Sequence, residues 1–380
     1  MTSSELTTPL TLRSGVVVPQ RIAMAPMVAQ GSDSATGHIT EEDVAYFARR
    51  STVAGMVITG AAYVIDHGRG FAHQISIADD SCTEGLARVA SAIKADGAVA
   101  VVQLYHGGRE ASPVFESQGR VLGPSAQQFD WLPYPTDEMT EVEITDTITA
   151  FGEATRRAIE AGFDGVEIHG ANHYLLQQFF SSFSNHRDDA WGGDLERRMA
   201  FPLAVTDEVM RVAATAGRPF AVGYRYCPDE VHGDTVGYDV DESNQLVEAL
   251  VARGVDYIHV SLFTGNASAP TSGDTRPYGT ITREVVDGRC PVIIVSNVFT
   301  LADAEAALEY GDIVAIGRAA LMEPEFTGKI VAGKADDIAT SVAGRFHDLD
   351  LPAGLIDWYL TTGRTLLPPL PGIEEYLPQA

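Results

Sequence analysis

Short apolar runs recur along the chain, each preceded by a stretch of helical periodicity that ends on a glycine. The pairs are Gly55 before MVITG, Gly97 before AVAVVQL, Gly162 before FDGVEIH, Gly217 before RPFAVGYR, Gly254 before VDYIHVS, Gly288 before RCPVIIVS and Gly311 before DIVAIG. Glycine closes a helix by adopting the left-handed conformation cheaply, and a short continuous apolar run suits a strand covered on both faces. With Arg21–Met27 (RIAMAPM) added, the pattern predicts eight strands. Ser81 with Glu84, and Thr140 with Glu143, have the spacing of capping boxes that open helices. After Thr140, Ile144, Ile148, Phe151, Ala154 and Ala158 form one apolar stripe. Eight alternating units with no break in composition predict an α/β fold. It is a single parallel (β/α)8 TIM barrel over residues 1–380, with residues 335–380 as a C-terminal tail. An open doubly wound sheet is the less economical alternative.

Two segments exceed a minimal barrel. Thr11–Pro19 (TLRSGVVVP) alternates around Ser14-Gly15 and predicts a small N-terminal hairpin, placed to plug the barrel floor. Gly107–Met139 is a long loop after strand three, rich in proline and aromatic residues. Such a loop at the carboxyl end of a barrel strand commonly covers an active site, the alternative being a surface insertion away from ligand.

Charge narrows the function classes. With 52 acidic and 26 basic side chains the formal net charge is −26, which disfavours nucleic acid as a partner. No apolar run reaches the ~20 residues of a membrane span, and the N-terminus has no export signal, so a soluble cytoplasmic protein is expected. Three of the 26 basic residues are lysine, and a halophilic source or a GC-rich genome would each produce that bias and the acidity together. Cys82, Cys227 and Cys290 lie far apart, which disfavours disulfide scaffolds, zinc ribbons and iron–sulfur clusters.

Barrel enzymes place their chemistry at the carboxyl ends of strands. Those ends hold Pro26-Met27-Val28, Gly60-Ala61, Gln103-Leu104-Tyr105-His106, His169 with Asn172-His173-Tyr174, Arg225, Ser261, Ser296-Asn297 and Gly317-Arg318. A core strand gains nothing from a terminal arginine, so this polar ring predicts a ligand site. The last two units suit a phosphate, through open backbone N–H groups and the charge of Arg318.

Five ordered motifs carry a family resemblance: IAMAPM (22–27), QLYHGGR (103–109), HGANHYLLQQFF (169–180), SNHRDDAWGGDLERR (184–198) and IVAIGRAALMEP (313–324). Together they resemble the old yellow enzyme family. The tail segment LPAGLIDWYLTTGRTLLPPLPG (351–372) is similar to the NADH:flavin oxidoreductase branch. The resemblance implies non-covalent FMN, with NADH or NADPH as reductant and a small unsaturated carbonyl compound as substrate. By that analogy Pro26, Met27, Val28 and Ala61 meet the flavin ring, and Gln103 and Arg225 bond its pyrimidine edge. Ser261, Ser296, Asn297, Gly317 and Arg318 face the ribityl phosphate. His169 and Asn172 bond the substrate oxygen, and Tyr174 is the general acid that protonates the α-carbon. Hydride passes from nucleotide to flavin and then to substrate through one pocket, which implies ping-pong kinetics.

The chain departs from the family pattern at several points. Val28 replaces a Thr or Cys that bonds the flavin, Gly60 an acidic residue, Ser296-Asn297 a glycine-rich turn, and His173 a glycine. The cysteine cluster of dienoyl-CoA-reducing and amine-demethylating relatives is missing. Other readings of the same residues stay open. A NADH:flavin oxidoreductase with another substrate is one, and a flavin-binding protein without catalysis is another. In a third, His169 and His173 ligate zinc in a barrel hydrolase, with His67, His73 or His106 completing the site. His106 fits a core or a pocket position equally. Arg187, Arg197 and Arg198 are expected in surface ion pairs. An exposed tail with Trp358 and Tyr359 could dock on a neighbouring subunit, and a monomer fits equally well.

Overall fold

A computed structural model describes residues 5–262, 265, 267–295, 297–361 and 368–377. Eight parallel strands form the barrel: β1 (Ile22–Met24), β2 (Met56–Ile58), β3 (Val99–Tyr105), β4 (Gly165–Gly170), β5 (Ala221–Tyr226), β6 (Tyr257–Val260), β7 (Val292–Val295) and β8 (Ile313–Ile316). Each pairs with the next, β8 pairs with β1, and the ring is closed. At one level of the wall Ile168 lies between Leu104 and Tyr224. Around the strands run α1 (Glu41–Ala48), α2 (Thr83–Lys94), α3 (Glu141–Glu160), α4 (Leu195–Ala213), α5 (Val240–Arg253), α6 (Tyr278–Val286), α7 (Leu301–Ala307) and α8 (Phe326–Val331). Among the described residues no helix is long and apolar enough to cross a membrane.

Period-two alternation divides the strand residues between two cores. Ala23, Met56, Ile58, Val99, Val101, Ala221, Tyr257, Ile293, Ile313 and Ala315 fill the barrel interior. Their neighbours Ile22, Met24, Val57, Val102, Val292, Ile294, Val314 and Ile316 face the helices. Small residues make room for one large one: a Cβ at Gly223 would lie 2.0 Å from the Tyr257 ring.

The N-terminal hairpin pairs Leu10–Thr11 with Val17–Val18 around Gly15, whose φ is +89°. Leu12, Val16 and Val18 join the interior core, and the Ser14 amide donates to the Asp256 carboxylate at 2.6 Å, so the hairpin does close the floor.

Helix starts follow the predicted pattern in part. Thr140 and Glu143 form the capping box, as do Thr40 with Asp43 and Thr300 with Asp303. Ser81 and Glu84 do not. The Asp79 carboxylate, a stronger acceptor, takes the Ser81 amide at 2.8 Å and starts a 3-10 turn that leads into α2. Gly97, Gly162, Gly217, Gly254 and Gly288 have positive φ, whereas Gly55 and Gly311 do not. Close approach explains Gly55, where a Cβ would meet the Gln20 carbonyl oxygen at 2.4 Å.

Among the described residues the tail packs back onto the barrel. Val342, Phe346, Leu349, Leu355 and Tyr359 are buried in the helix-facing core. Fully buried Arg50 ties it down, donating to the carbonyls of Tyr46, Ala320 and Leu349 and stacking on the Tyr46 ring at 4.0 Å.

Candidate active site

Higher in the barrel the inward positions turn polar. Gln103 on β3, Glu167 on β4, Arg225 on β5 and His259 on β6 continue the inward parity of Val101, Gly165, Gly223 and Tyr257, and all four are buried. Gln103 Nε2 donates to Glu167 Oε1 at 2.7 Å, and His259 Nδ1 donates to Glu167 Oε2 at 2.9 Å, passing across β5 through the interior. Burial works against the charge on Glu167, yet His259, Arg225 and Gln103 hold its carboxyl below the usual range. Burial lowers His259, so it donates as a neutral imidazole. Glu167 is therefore the buried countercharge for Arg225.

Above this layer lies a cavity of about 350 Å³, the size of a small-molecule site. Pro26, Met27, Val28, Ala61, Gln103, His169, Asn172, Tyr174, Arg225, Asn297, Gly317 and Arg318 line it. Among the described residues, every expected site residue but Ser261 reaches this wall. Ser296 lies outside the described residues. Ser261 sits behind the wall, accepting from Arg225 Nη2 at 3.0 Å and donating to Asn172 Oδ1 at 3.0 Å. Asn297 Oδ1 accepts from Arg318 Nη2 at 2.8 Å, which points the guanidinium along the β7–β8 side of the cavity and over the Phe299 ring at 4.9 Å.

These bonds fix which groups face the cavity. Because Asn172 Oδ1 accepts from Ser261, the two amide N–H groups are left to donate. His169 Nδ1 accepts from the Ala171 amide at 3.3 Å, so the proton is on Nε2. Burial, reinforced by Arg225 and His259, lowers the His169 pKa well below its ordinary value, and the ring stays neutral. His169 and Asn172 are thus two neutral N–H donors on one wall. Asn172 sits at φ +59° and His173 at φ +64°, a backbone bend that turns one side chain into the cavity and the other away.

Tyr174 stands beside them, its ring 5.0 Å from His169 and 4.5 Å from Tyr105. Burial and Glu110 push its phenol up to about 12, although the ring keeps partial solvent access. It is a protonated acid at neutral pH. Val28, like Phe71 and Tyr174, packs against the buried cluster of Ala61, Tyr63 and Tyr105. Gly60 leaves no room for an acidic side chain, since a Cβ there would meet the Met27 carbonyl oxygen at 2.4 Å.

Sequence reasoning missed several contributors. Glu167 and His259 sit one inward step below the strand ends, where parity alone would have found them. Phe71 comes from the loop after β2, and Trp358 packs on it at 6.2 Å. Trp358 and Tyr359 line this chain's own cavity rather than an exposed docking surface. The loop after β3 flanks the site: Glu110, Ser112 and Trp131 wall a second chamber of about 570 Å³ that meets the first at Phe71, Asn172, Tyr174 and Trp358.

Other histidines and arginines resolve differently from expectation. His106 is a core residue, accepting from the Gly108 amide on Nδ1 at 2.9 Å and donating to His67 Nδ1 from Nε2 at 3.0 Å. His73 bonds the Ser32 carbonyl. The ring nitrogens of His169 and His173 do not meet in a shared group with these. Among the described residues, the trios that bring ligating atoms within 4.8 Å are His173, Glu230 and His232, and His38, Asp79 and Cys82. Arg187 and Arg198 are buried, bonding backbone carbonyls at Pro124, Met139 and Phe180 besides Asp189 and Glu242, and only Arg197 pairs at the surface.

Comparison with known proteins fits this arrangement. The profile of the NADH:flavin oxidoreductase / NADH oxidase family matches residues 5–337. A probable NADH-dependent flavin oxidoreductase of Bacillus subtilis is 44% identical over 339 residues, covering 88% of this chain and 90% of the relative. The chain belongs to the old yellow enzyme family. Structures agree: morphinone reductase in complex with tetrahydroNAD superposes with a TM-score of 0.74 at 27% identity, covering 87% of this chain and 91% of that one. The old yellow enzyme homologue from Zymomonas mobilis gives 0.74 at 25% identity, covering 86% and 92%. The NADH:acrylate oxidoreductase of Vibrio harveyi is 41% identical over 86% of this chain, which spans 33% of that longer protein. This old yellow enzyme family member is accordingly an oxidoreductase of the NADH- and NADPH-linked kind.

Proposed function

We propose that the chain binds FMN in the barrel-mouth cavity and uses NAD(P)H to reduce the C=C bond of α,β-unsaturated carbonyl compounds. The observation that carries this reading is the convergence of His169 Nε2–H and the Asn172 amide on one cavity wall beside the protonated Tyr174.

The donor set supports FMN. Among the described residues the buried Arg225 Nε has no hydrogen-bond partner, and Gln103, having given an N–H to Glu167, has no bond recorded on its carbonyl oxygen. Gln103 would accept from the imide N–H of the flavin ring, and Arg225 would donate to its N1–O2 edge. Pro26, Met27, Val28 and Ala61 would flank the ring, while Gly317, Arg318, Asn297 and Ser296 would meet the phosphate. FMN, when bound, supplies the hydride acceptor and donor of the two half-reactions.

The protein's own contribution is polarisation and a proton. His169 and Asn172 donate to the substrate's carbonyl oxygen, which makes the β-carbon electrophilic. Neutral donors suit this task, because a positive imidazolium would already be attracted to Arg225's counter-ion and would repel Arg225 itself. Tyr174 then gives its phenolic proton to the α-carbon. Glu167 keeps Arg225 charged and in place throughout.

The test is an anaerobic absorbance spectrum of the purified protein before and after NADH or NADPH, followed by 2-cyclohexenone. Bleaching by nucleotide and recovery with the enone is the expected result. Bleaching without recovery would favour a flavin reductase, and acrylate would then be the next acceptor to try, since a relative is named for it. A protein that cannot be loaded with FMN would overturn the assignment.

A further inference from the structure

His173 turns away from the flavin cavity. From loop four it faces the two-stranded hairpin after β5, formed by Glu230–His232 and Thr235–Tyr238. His173 Nδ1 stands 3.6 Å from Glu230 Oε2, and His232 Nε2 stands 3.1 Å from Glu230 Oε1. We propose that His173, Glu230 and His232 form a binding site for a divalent transition-metal ion such as zinc, on the wall of the second chamber.

Geometry supports the assignment. A tetrahedral ion with ligands at ~2.1 Å has ligand-to-ligand edges of roughly 3.4 Å. The two imidazole nitrogens each lie at about that range from the Glu230 carboxylate, 3.6 Å from Oε2 and 3.1 Å from Oε1, and one ligating atom from each of the three residues lies within 4.8 Å of the others. Two imidazoles and one carboxylate are a recurring ligand set for such ions. The longer contact is not a hydrogen bond, and the buried His173 Nδ1 has no partner among the described residues.

The surroundings are those of a held ligand set. Glu230 is 2% exposed, and its carboxylate is fixed by Ser181 Oγ at 2.7 Å and Gln177 Nε2 at 2.5 Å. Hydrogen bonds of this kind orient carboxylate ligands. The His232 ring is clamped against Phe183, with centroids 4.0 Å apart, and lies parallel to Trp131 at 5.7 Å. His173 is held by its backbone, whose N–H donates to Gln177 Oε1 at 2.9 Å and whose carbonyl accepts from Gln178 Nε2 at 2.6 Å. Both imidazoles line the second chamber, so a further coordination position opens toward it. An ion there would join loop four, which carries Asn172 and Tyr174, to the hairpin after β5.

In the alternative trio the His38 ring and the Asp79 carboxylate are both engaged by Ser81, which donates its amide to Asp79 at 2.8 Å and meets His38 Nε2 at 3.0 Å. Chelator-treated, FMN-loaded protein titrated with Zn²⁺ at pH 7.5 tests the proposal, by calorimetry and by zinc analysis after dialysis. Saturable binding of one zinc per chain is expected, weakened by His173→Ala and by His232→Ala beyond the roughly 10- to 100-fold that loss of an outer-shell partner costs, and unchanged by His38→Ala. No saturable binding to the wild-type protein would overturn the proposal, and that arm needs no variant to fold. Binding that survives both substitutions, or that His38→Ala abolishes, would overturn it too. The readout is zinc itself, so its failure leaves the enone assay of the reductase untouched.

Discussion

Ser261 Oγ donates to Asn172 Oδ1 at 3.0 Å while accepting from Arg225 Nη2 at the same distance, so a serine outside the cavity decides which end of an amide faces into it. Without that hydroxyl the Asn172 carboxamide has no reason to present N–H rather than C=O to a substrate oxygen. Ser261→Ala should slow enone reduction about 3- to 10-fold, the worth of one oriented hydrogen bond. The rate of flavin bleaching by NADH should change less than the rate of reoxidation by enone. Stopped-flow measurement of the two half-reactions checks this, and equal losses in both would mean that Ser261 acts through Arg225 instead.

Tyr174→Phe removes the acid and leaves the donor pair. The oxidative half-reaction should fall by about 10²-fold or more, the usual contribution of a positioned acid, with flavin reduction by NADH nearly intact. The pH profile has a definite sign. Burial pushes Tyr174 up to about 12, so the required protonated form persists from neutral pH to about 11 and is lost as pH rises further. Wild-type enone reduction, followed at saturating substrate, should show no downward limb from Tyr174 below about pH 10. A limb near the ordinary tyrosine value would place the phenol in a more hydrated setting than the structure gives.

The barrel was legible because its signal is local. Each β run after a glycine carries its own period, and strand ends in a barrel converge whatever their spacing in sequence, which is why Gln103, His169, Arg225 and Arg318 could be gathered without coordinates. Glu167 and His259 were hidden by an incomplete use of the same rule: reading inward positions two by two down each strand would have exposed a carboxylate and an imidazole inside an apolar barrel. Phe71 and Trp358 were not legible at all, since they reach the cavity from a loop and a tail whose packing depends on contacts far apart in sequence, such as Arg50 to the Leu349 carbonyl, 299 residues away. Arg187 and Arg198 were misplaced because neighbouring acids suggested solvent, whereas their deciding partners are backbone carbonyls, which carry no mark in sequence.

Glu167→Gln should destabilise the protein by about 1–3 kcal/mol, because the amide can accept from only one of the two buried donors, Gln103 Nε2 and His259 Nδ1, that the carboxylate now satisfies. Denaturant unfolding at pH 7 measures that loss, and weaker FMN retention should accompany it. The acid limb gives an independent check. Glu167 titrates below its unfolded value of 4.5, so its contribution is present above that pH and is lost as pH falls through the folded value. The wild-type protein should therefore lose stability on acidification below about pH 4.5 more steeply than the Gln variant. Identical acid limbs would mean that Glu167 titrates in the folded state as it does in the unfolded chain.

Val28 would offer a bound flavin no donor, and it packs against the buried cluster of Ala61, Tyr63 and Tyr105. Thr is nearly isosteric, so Val28→Thr can be accommodated without repacking the wall, and its hydroxyl would supply the hydrogen-bond donor that valine lacks. A donor at the flavin's O4 stabilises the reduced form, in which that oxygen gains electron density. At about 1 kcal/mol for one hydrogen bond, the two-electron midpoint potential should rise by roughly 20 mV. Reductive titration against a reference dye resolves a shift of that size. An unchanged potential with normal FMN content would mean that the position-28 side chain points past the flavin and that the absence of a donor there has no electronic consequence.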